Sequence, residues 1–173
     1  KDEIPVGFLM PSAAGVELAL TVFHPGRGQR RIIERGWTRK SLAQIAANIA
    51  SIFAQMHSHD ILMGDINPRN FMVAQDCSVS FVDCDSYQVG AFGCPVGTVR
   101  YTPPERHREM KRLGRVDFGF TRTIQDEQYS LAVLLFEILT LGRAPYESRN
   151  NNNQDVVDAI IAGTFPYPYR SDD

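Results

Sequence analysis

The chain has 173 residues, with 18 Lys and Arg against 20 Asp and Glu, a net charge of −2, and 43% hydrophobic residues. That balance excludes a disordered tail, a collagen-like repeat and a bare coiled coil, and it provides no global attraction to nucleic acid or to an acidic membrane. Three cysteines, Cys77, Cys84 and Cys94, contain no CxxC pair. They argue against a disulfide framework or a four-ligand zinc site and fit a reducing, cytoplasmic setting.

In chain order, residues 4–10 (IPVGFLM) read as a short strand stopped by Pro11. Residues 26–40 carry Arg27, Arg30, Arg31, Arg35, Arg39 and Lys40 against Glu34 alone, which reads first as a solvated surface and second as a site for a phosphate-rich partner. From Ser41 the apolar residues Leu42, Ile45, Ile49, Ile52, Phe53 and Met56 fall on one helical face, with Ser41 and Gln44 forming a capping-box start and an end near His57. The period then changes to two. Residues 61–63, 71–73 and 78–82 are short strands, the last two joined by a turn at Gln75 and Asp76.

Residues 129–141 are apolar nearly all round and predict a central helix buried on every side, stopped by Gly142 and Pro145. The apolar core of this run is interrupted by Glu137 and falls short of the ~20 residues a membrane span needs. Residues 150–153 form a polar Asn loop, and 155–162 a short amphipathic helix closed by Gly163. The histidines lack ligand spacing, and Cys84 reads as a buried small hydrophobe.

Chemistry concentrates in three elements: the loop Gly64-Asp65-Ile66-Asn67-Pro68-Arg69-Asn70, the strand end Asp83-Cys84-Asp85, and the segment from Gly97-Thr98 to Pro103-Pro104-Glu105. Phosphoryl transfer asks a protein for this set. One carboxylate orients an attacking hydroxyl and takes its proton, while a second carboxylate and an amide oxygen offer hard ligands to magnesium. Taken singly, an Asp at a strand end is more often a turn cap.

Together with Tyr129-Ser130-Leu131-Ala132 and the later Leu141-Gly142-Arg143-Ala144-Pro145-Tyr146, these elements resemble the catalytic loop, metal triplet, activation-segment end and central helix of a eukaryotic-like protein kinase. GDINPRN with DCDSYQ resembles the bacterial branch associated with tellurite-resistance or phosphatase partners. The resemblance implies a mainly α (α+β) fold, the kinase C-terminal lobe: a helical bundle around a buried central helix, with short β-hairpins carrying the catalytic and metal-binding loops. It implies one domain over residues 1–173, with the hinge near 6–12 and the smaller lobe absent from this chain. Asp65 is similar to the catalytic base, Asn70 and Asp83 to the magnesium ligands, and Thr98 to the threonine that braces the catalytic loop. Glu105 resembles the anchor ending the activation segment, and Met10 part of the hinge that holds adenine.

The departures are specific. Met63-Gly64 stands where the family has His-Arg, so no arginine there can receive an activation-loop phosphate. Asn67 replaces the usual lysine, but Arg69 occupies a place from which many tyrosine kinases supply an arginine instead. Cys84-Asp85 replaces Phe-Gly, and Asp85 is either a further metal ligand or a turn cap. Glu127 sits where an Asp is expected at the helix start, which leaves the anchoring of the catalytic loop open. No Gly-rich phosphate loop or VAIK-like lysine is present, so half of the ATP contacts would come from a lobe supplied in cis or by a partner.

The expected function is phosphoryl transfer from ATP with Mg2+ to Ser or Thr of a protein substrate by the full-length protein, this lobe alone being inactive. The alternatives are a pseudokinase scaffold and a small-molecule phosphotransferase of the aminoglycoside or choline type, which Gly64-Asp65 and Asp83-x-Asp85 favour. Neither membrane nor nucleic acid is an expected partner.

Overall fold

The computed structural model describes residues 10–24, 26–114, 119–146 and 153–164. Its elements in order are β1 (Val16–Glu17), α1 (Gly28–Glu34), α2 (Arg39–His57), β2 (Ile61–Leu62), β3 (Phe71–Val73), β4 (Val79–Phe81), β5 (Gln88–Val89), α3 (Pro104–Leu113), α4 (Ile124–Leu139) and α5 (Asn153–Ala162). Two small antiparallel sheets form, β1-β3-β4 and β2-β5. The mixed α+β composition with dominant helices agrees with the sequence reading. The strand expected over 4–10 and residues 6–9 of the hinge lie outside the described residues, as do residues 150–152 of the Asn loop, while Met10 is exposed and irregular.

The longest helix, α2, forms where the periodicity placed it and buries Leu42, Ile45, Ala46, Ile49 and Phe53 along one face. Its start differs from expectation. Thr38, not Ser41, is the N-cap: the Ser41 N–H donates to Thr38 Oγ1 and the Thr38 N–H to Ser41 Oγ, so Ser41 is the far member of the capping box. Either pairing satisfies orphan N–H groups of the first turn, but Thr38 is extended and so begins the helix three residues earlier.

The β3–β4 hairpin packs on α2 through three aromatic rings. Phe53, Phe71 and Phe81 form a triangle with centroids 4.8–6.3 Å apart, the Phe71–Phe81 pair being edge-on. Such pairs add roughly 0.5–1.5 kcal/mol each beyond burial. Asn48 Nδ2 donates to Cys77 O at 2.8 Å, fastening the hairpin turn to the helix. Register follows from this packing: Phe71 faces Phe81, and the Val82 N–H donates to Asn70 O at 3.0 Å. Asn70 and Asp83 therefore emerge together at one end of the hairpin.

Helix α4 packs against α2 and buries Glu127, Ser130, Val133, Leu134, Glu137 and Ile138. It is not buried on every side among the described residues. Leu139 is 55% exposed, and Leu131 and Leu135 are only partly covered. The helix also starts earlier than Tyr129, at a capping box of Thr123 and Asp126, and ends at Leu139. Two left-handed residues, Leu141 and Gly142, follow its end. Gly142 lies so close to Val22 that a Cβ would come within 2.8 Å of the Val22 carbonyl. All three cysteines are free, and Cys84 is exposed rather than buried, because the turn after β4 carries it into solvent. No helix among the described residues is long and apolar enough to cross a membrane.

Candidate active site

The loop 64–70 begins on a glycine with φ +77° and closes on a 3-10 turn, Pro68–Asn70, capped by Asn67. Asn67 Oδ1 accepts from the Arg69 N–H at 2.9 Å, and its Nδ2 donates to Asp65 Oδ2 at 3.0 Å. Thr98 Oγ1, 33 residues away, donates to Asp65 Oδ1 at 2.9 Å. Each carboxylate oxygen of Asp65 is thus oriented by one donor, and a carboxylate accepts about four. Asn70, 7% exposed, donates its Nδ2 to the Asp65 carbonyl at 3.0 Å. That bond orients the amide and leaves Oδ1 as an acceptor. Arg69 is exposed and makes no ion pair among the described residues.

Asp83 occupies the left-handed region, φ 62° and ψ 45°, directly before the turn Cys84–Ser86. A hydrogen bond with Asp85, then burial, then the charges of Asp85 and Asp65 hold its carboxyl above the usual carboxylate value. The site therefore gathers negative charge that a cation would offset. No three His, Cys, Asp or Glu side chains among the described residues converge on one point as a metal cage. This donor set suits an ion that keeps several water or phosphate ligands, as magnesium does.

The loop is anchored from beneath by Glu127, which is 2% exposed. Its Oε1 accepts from the Gly64 N–H at 2.8 Å, and its Oε2 meets His57 Nε2 at 2.6 Å. Burial pushes the Glu127 carboxyl up, against the lowering pull of the Gly64 N–H and of His57. The glutamate in place of an aspartate thus still holds the loop. Adjacent Asp126 faces elsewhere, pairing with Arg106 at 2.8 Å.

A second buried carboxylate, Glu137, accepts from Tyr101 Oη at 2.5 Å and Arg100 Nη1 at 3.2 Å, and Ser130 Oγ donates to Tyr101 O. These bonds seat the segment 97–102 on α4, so that Asp65, Arg69, Thr98 and Arg100 share one open cleft of about 1130 Å³. The segment is fastened there by Glu137 and not by Glu105, whose side chain is 73% exposed and reaches only Arg108, at 3.7 Å, among the described residues. The sequence placed Glu127 at the anchoring position and left its competence open, which the Gly64 bond answers, whereas His57 and Glu137 escaped the sequence reading. A usable signal existed in part: acidic residues on the buried face of an otherwise apolar helix need partners.

An Asp in a tight loop braced by a threonine from a distant segment, beside an Asn and a strand-end Asp, is a protein-kinase arrangement, and the family model for protein tyrosine and serine/threonine kinases matches residues 21–168. The chain belongs to that kinase family. Among bacterial kinases, it is 34% identical over 173 residues to protein kinase YegI of Escherichia coli O157:H7, covering 96% of this chain and 26% of that protein. Against protein kinase YegI of Escherichia coli strain K12 it is 36% identical over 145 residues, 82% of this chain and 21% of that protein. Against the probable serine/threonine-protein kinase PknB of Lactococcus lactis it is 27% identical over 110 residues, 60% of this chain and 16% of that protein. The chain spans about a quarter of the length of the YegI kinases it matches.

Proposed function

We propose that residues 1–173 form the larger, C-terminal lobe of a bacterial protein kinase and that the full-length protein transfers the γ-phosphoryl of ATP to Ser or Thr of a protein substrate. The observation that carries this reading is Asp65, oriented through Thr98 and Asn67, with Asn70 bonded to its own carbonyl. In the proposed reaction Asp65 takes the proton of the substrate hydroxyl while the hydroxyl oxygen bonds to phosphorus and ADP departs. Arg69, exposed in the same cleft, lends positive charge to the transferring group. Asn70 Oδ1 and Asp83 are the residues that would hold Mg2+, with Asp85 as a further ligand. The ion, when bound, neutralises phosphate charge. Met10, at the exposed start of the described chain, is the proposed adenine contact, completed by a lobe lying outside this chain. The YegI and PknB likenesses support a protein substrate and a bacterial setting.

The test is transfer of labelled phosphate by the full-length protein with magnesium, to itself or to a protein panel, beside Asp65→Asn. Loss of a general base should lower kcat on the order of 10²- to 10⁴-fold. Wild-type transfer equal to that of Asp65→Asn overturns the reading. Transfer to small alcohols alone would move it to a small-molecule phosphotransferase, and magnesium-dependent ATP stabilisation without any transfer to a pseudokinase.

A further inference from the structure

Gly64 leaves the loop without the arginine that would precede Asp65, and the structure explains why no side chain fits there. A Cβ on Gly64 would lie 2.5 Å from Cys94 Sγ and 2.6 Å from Cys94 Cβ, and 3.6 Å from Arg122 Nη1. The space belongs to the segment that precedes Thr98 and to an arginine 58 residues further along the chain.

Arg122 is 7% exposed. Its Nη1 donates to Cys94 O at 2.7 Å and its Nη2 to Val96 O. Its own backbone is held by Gln88, whose Oε1 accepts from the Arg122 N–H and whose Nε2 donates to the Arg122 carbonyl, both at 2.9 Å. The guanidinium lies 4.9 Å from the Phe120 ring centroid, a cation–π distance. No carboxylate pairs with it among the described residues. Two carbonyls of the segment and an aromatic face therefore supply the compensation that a buried charge requires, which binds the segment firmly. The Cys94 thiol adds a bond to Val96 O at 3.2 Å.

The hydroxyls between Cys84 and Glu105 bear on the same point. Ser86 donates to Asp83 O, Thr98 to Asp65, Tyr101 to Glu137 and Thr102 to Thr98 O, and neither these residues nor Tyr87 is exposed. A phosphate on any of the four bonded hydroxyls would break a contact that shapes the site.

We propose that Arg122 is the positioning residue that clamps the 94–98 segment against Gly64, holding Thr98 on Asp65 without any phosphorylated side chain. This regulation deepens the kinase reading and rests on it for its catalytic readout alone. The experiment compares the full-length wild type with Arg122→Met and Arg122→Lys by hydrogen exchange at the Cys94, Val96, Gly97 and Thr98 amides, and by kinetics.

Arg122→Met should speed exchange at those amides at least about tenfold while α2 amides keep their wild-type rates, since loss of the two bonds opens the segment locally. It should lower kcat on the order of 100-fold with the KM for ATP held within about twofold, because Thr98 and Asp65 lose register. Arg122→Lys, which keeps the charge but not the planar fork that reaches both carbonyls, should recover part of both effects and also serves if Arg122→Met does not fold. Phosphatase-treated wild type should keep its kcat within about twofold.

Unchanged exchange at 94–98 in both variants, or loss of activity on phosphatase treatment, overturns the clamp. If the wild type transfers no phosphate, the kinase reading falls and the exchange measurement still decides the clamp.

Discussion

Replacing Glu127 by Ala tests the buried anchor of the catalytic loop. The substitution orphans the Gly64 N–H, held at 2.8 Å, and His57 Nε2, held at 2.6 Å, in a place where the glutamate is 2% exposed. Hydrogen bonds to a charged acceptor contribute about 1.5–3 kcal/mol each. Part of the loss is offset, because the carboxylate was itself desolvated, as its raised pKa records. The net cost should be about 3–5 kcal/mol, the two hydrogen bonds together less the desolvation that the carboxylate no longer bears. For a chain of this size that corresponds to a fall of roughly 10 °C in Tm.

Glu127→Gln should cost less, since an amide oxygen still accepts from Gly64 and the amide nitrogen can meet a re-tautomerised His57. In the cycle with His57→Ala, the double variant leaves only the Gly64 donor unmet, and a coupling energy of about 1–3 kcal/mol is expected. Thermal and urea unfolding of the four proteins measure it. A Glu127→Ala variant within about 0.5 kcal/mol of wild type, or a Gln variant as damaged as the Ala variant, would refute the argument that two oriented donors depend on this carboxylate.

Two further outcomes follow from local geometry. Gly64→Ala forces a Cβ into Cys94 at φ +77°, and should cost about 2–4 kcal/mol from left-handed strain and overpacking together. Adding Cys94→Ala removes Sγ but leaves the Cβ 2.6 Å away, so it should return only part of the overpacking share and none of the strain, as denaturant midpoints will show. Burial works to raise the Asp126 carboxyl, but the Arg106 guanidinium and the Thr123 cap outweigh it and hold the carboxyl below its ordinary 3.8. The folded pKa is depressed, so this contribution is present above pH 3.8 and is lost as pH falls through the folded value. Acid titration of stability should therefore show a shallower fall below pH 4 in Asp126→Asn, which starts lower at neutral pH.

What the amino-acid order determined by itself is local. The α2 face of Leu42, Ile45, Ile49 and Phe53 is visible because a 3.6-residue period marks burial against one neighbour. The loop from Asp65 to Asn70, the hairpin and Asp83 lie within 19 consecutive residues, so their spacing already implies that they meet. Strands β1 and β5 were not legible, since Val16–Glu17 and Gln88–Val89 lack the apolar run that marks 61–63 and are strands only through the partners they bond.

The tertiary structure decided the rest. Apolar composition all round α4 could not reveal that Leu139 stays open among the described residues, because periodicity records preference for burial and not the presence of a covering layer. The tertiary structure alone brought Glu127 to Gly64 across 63 residues and to His57 across 70, and Arg122 onto Cys94 and Val96. A hydrogen bond between distant residues leaves no period in a sequence. Its partners are chosen only when packing removes water and every buried donor must find an acceptor.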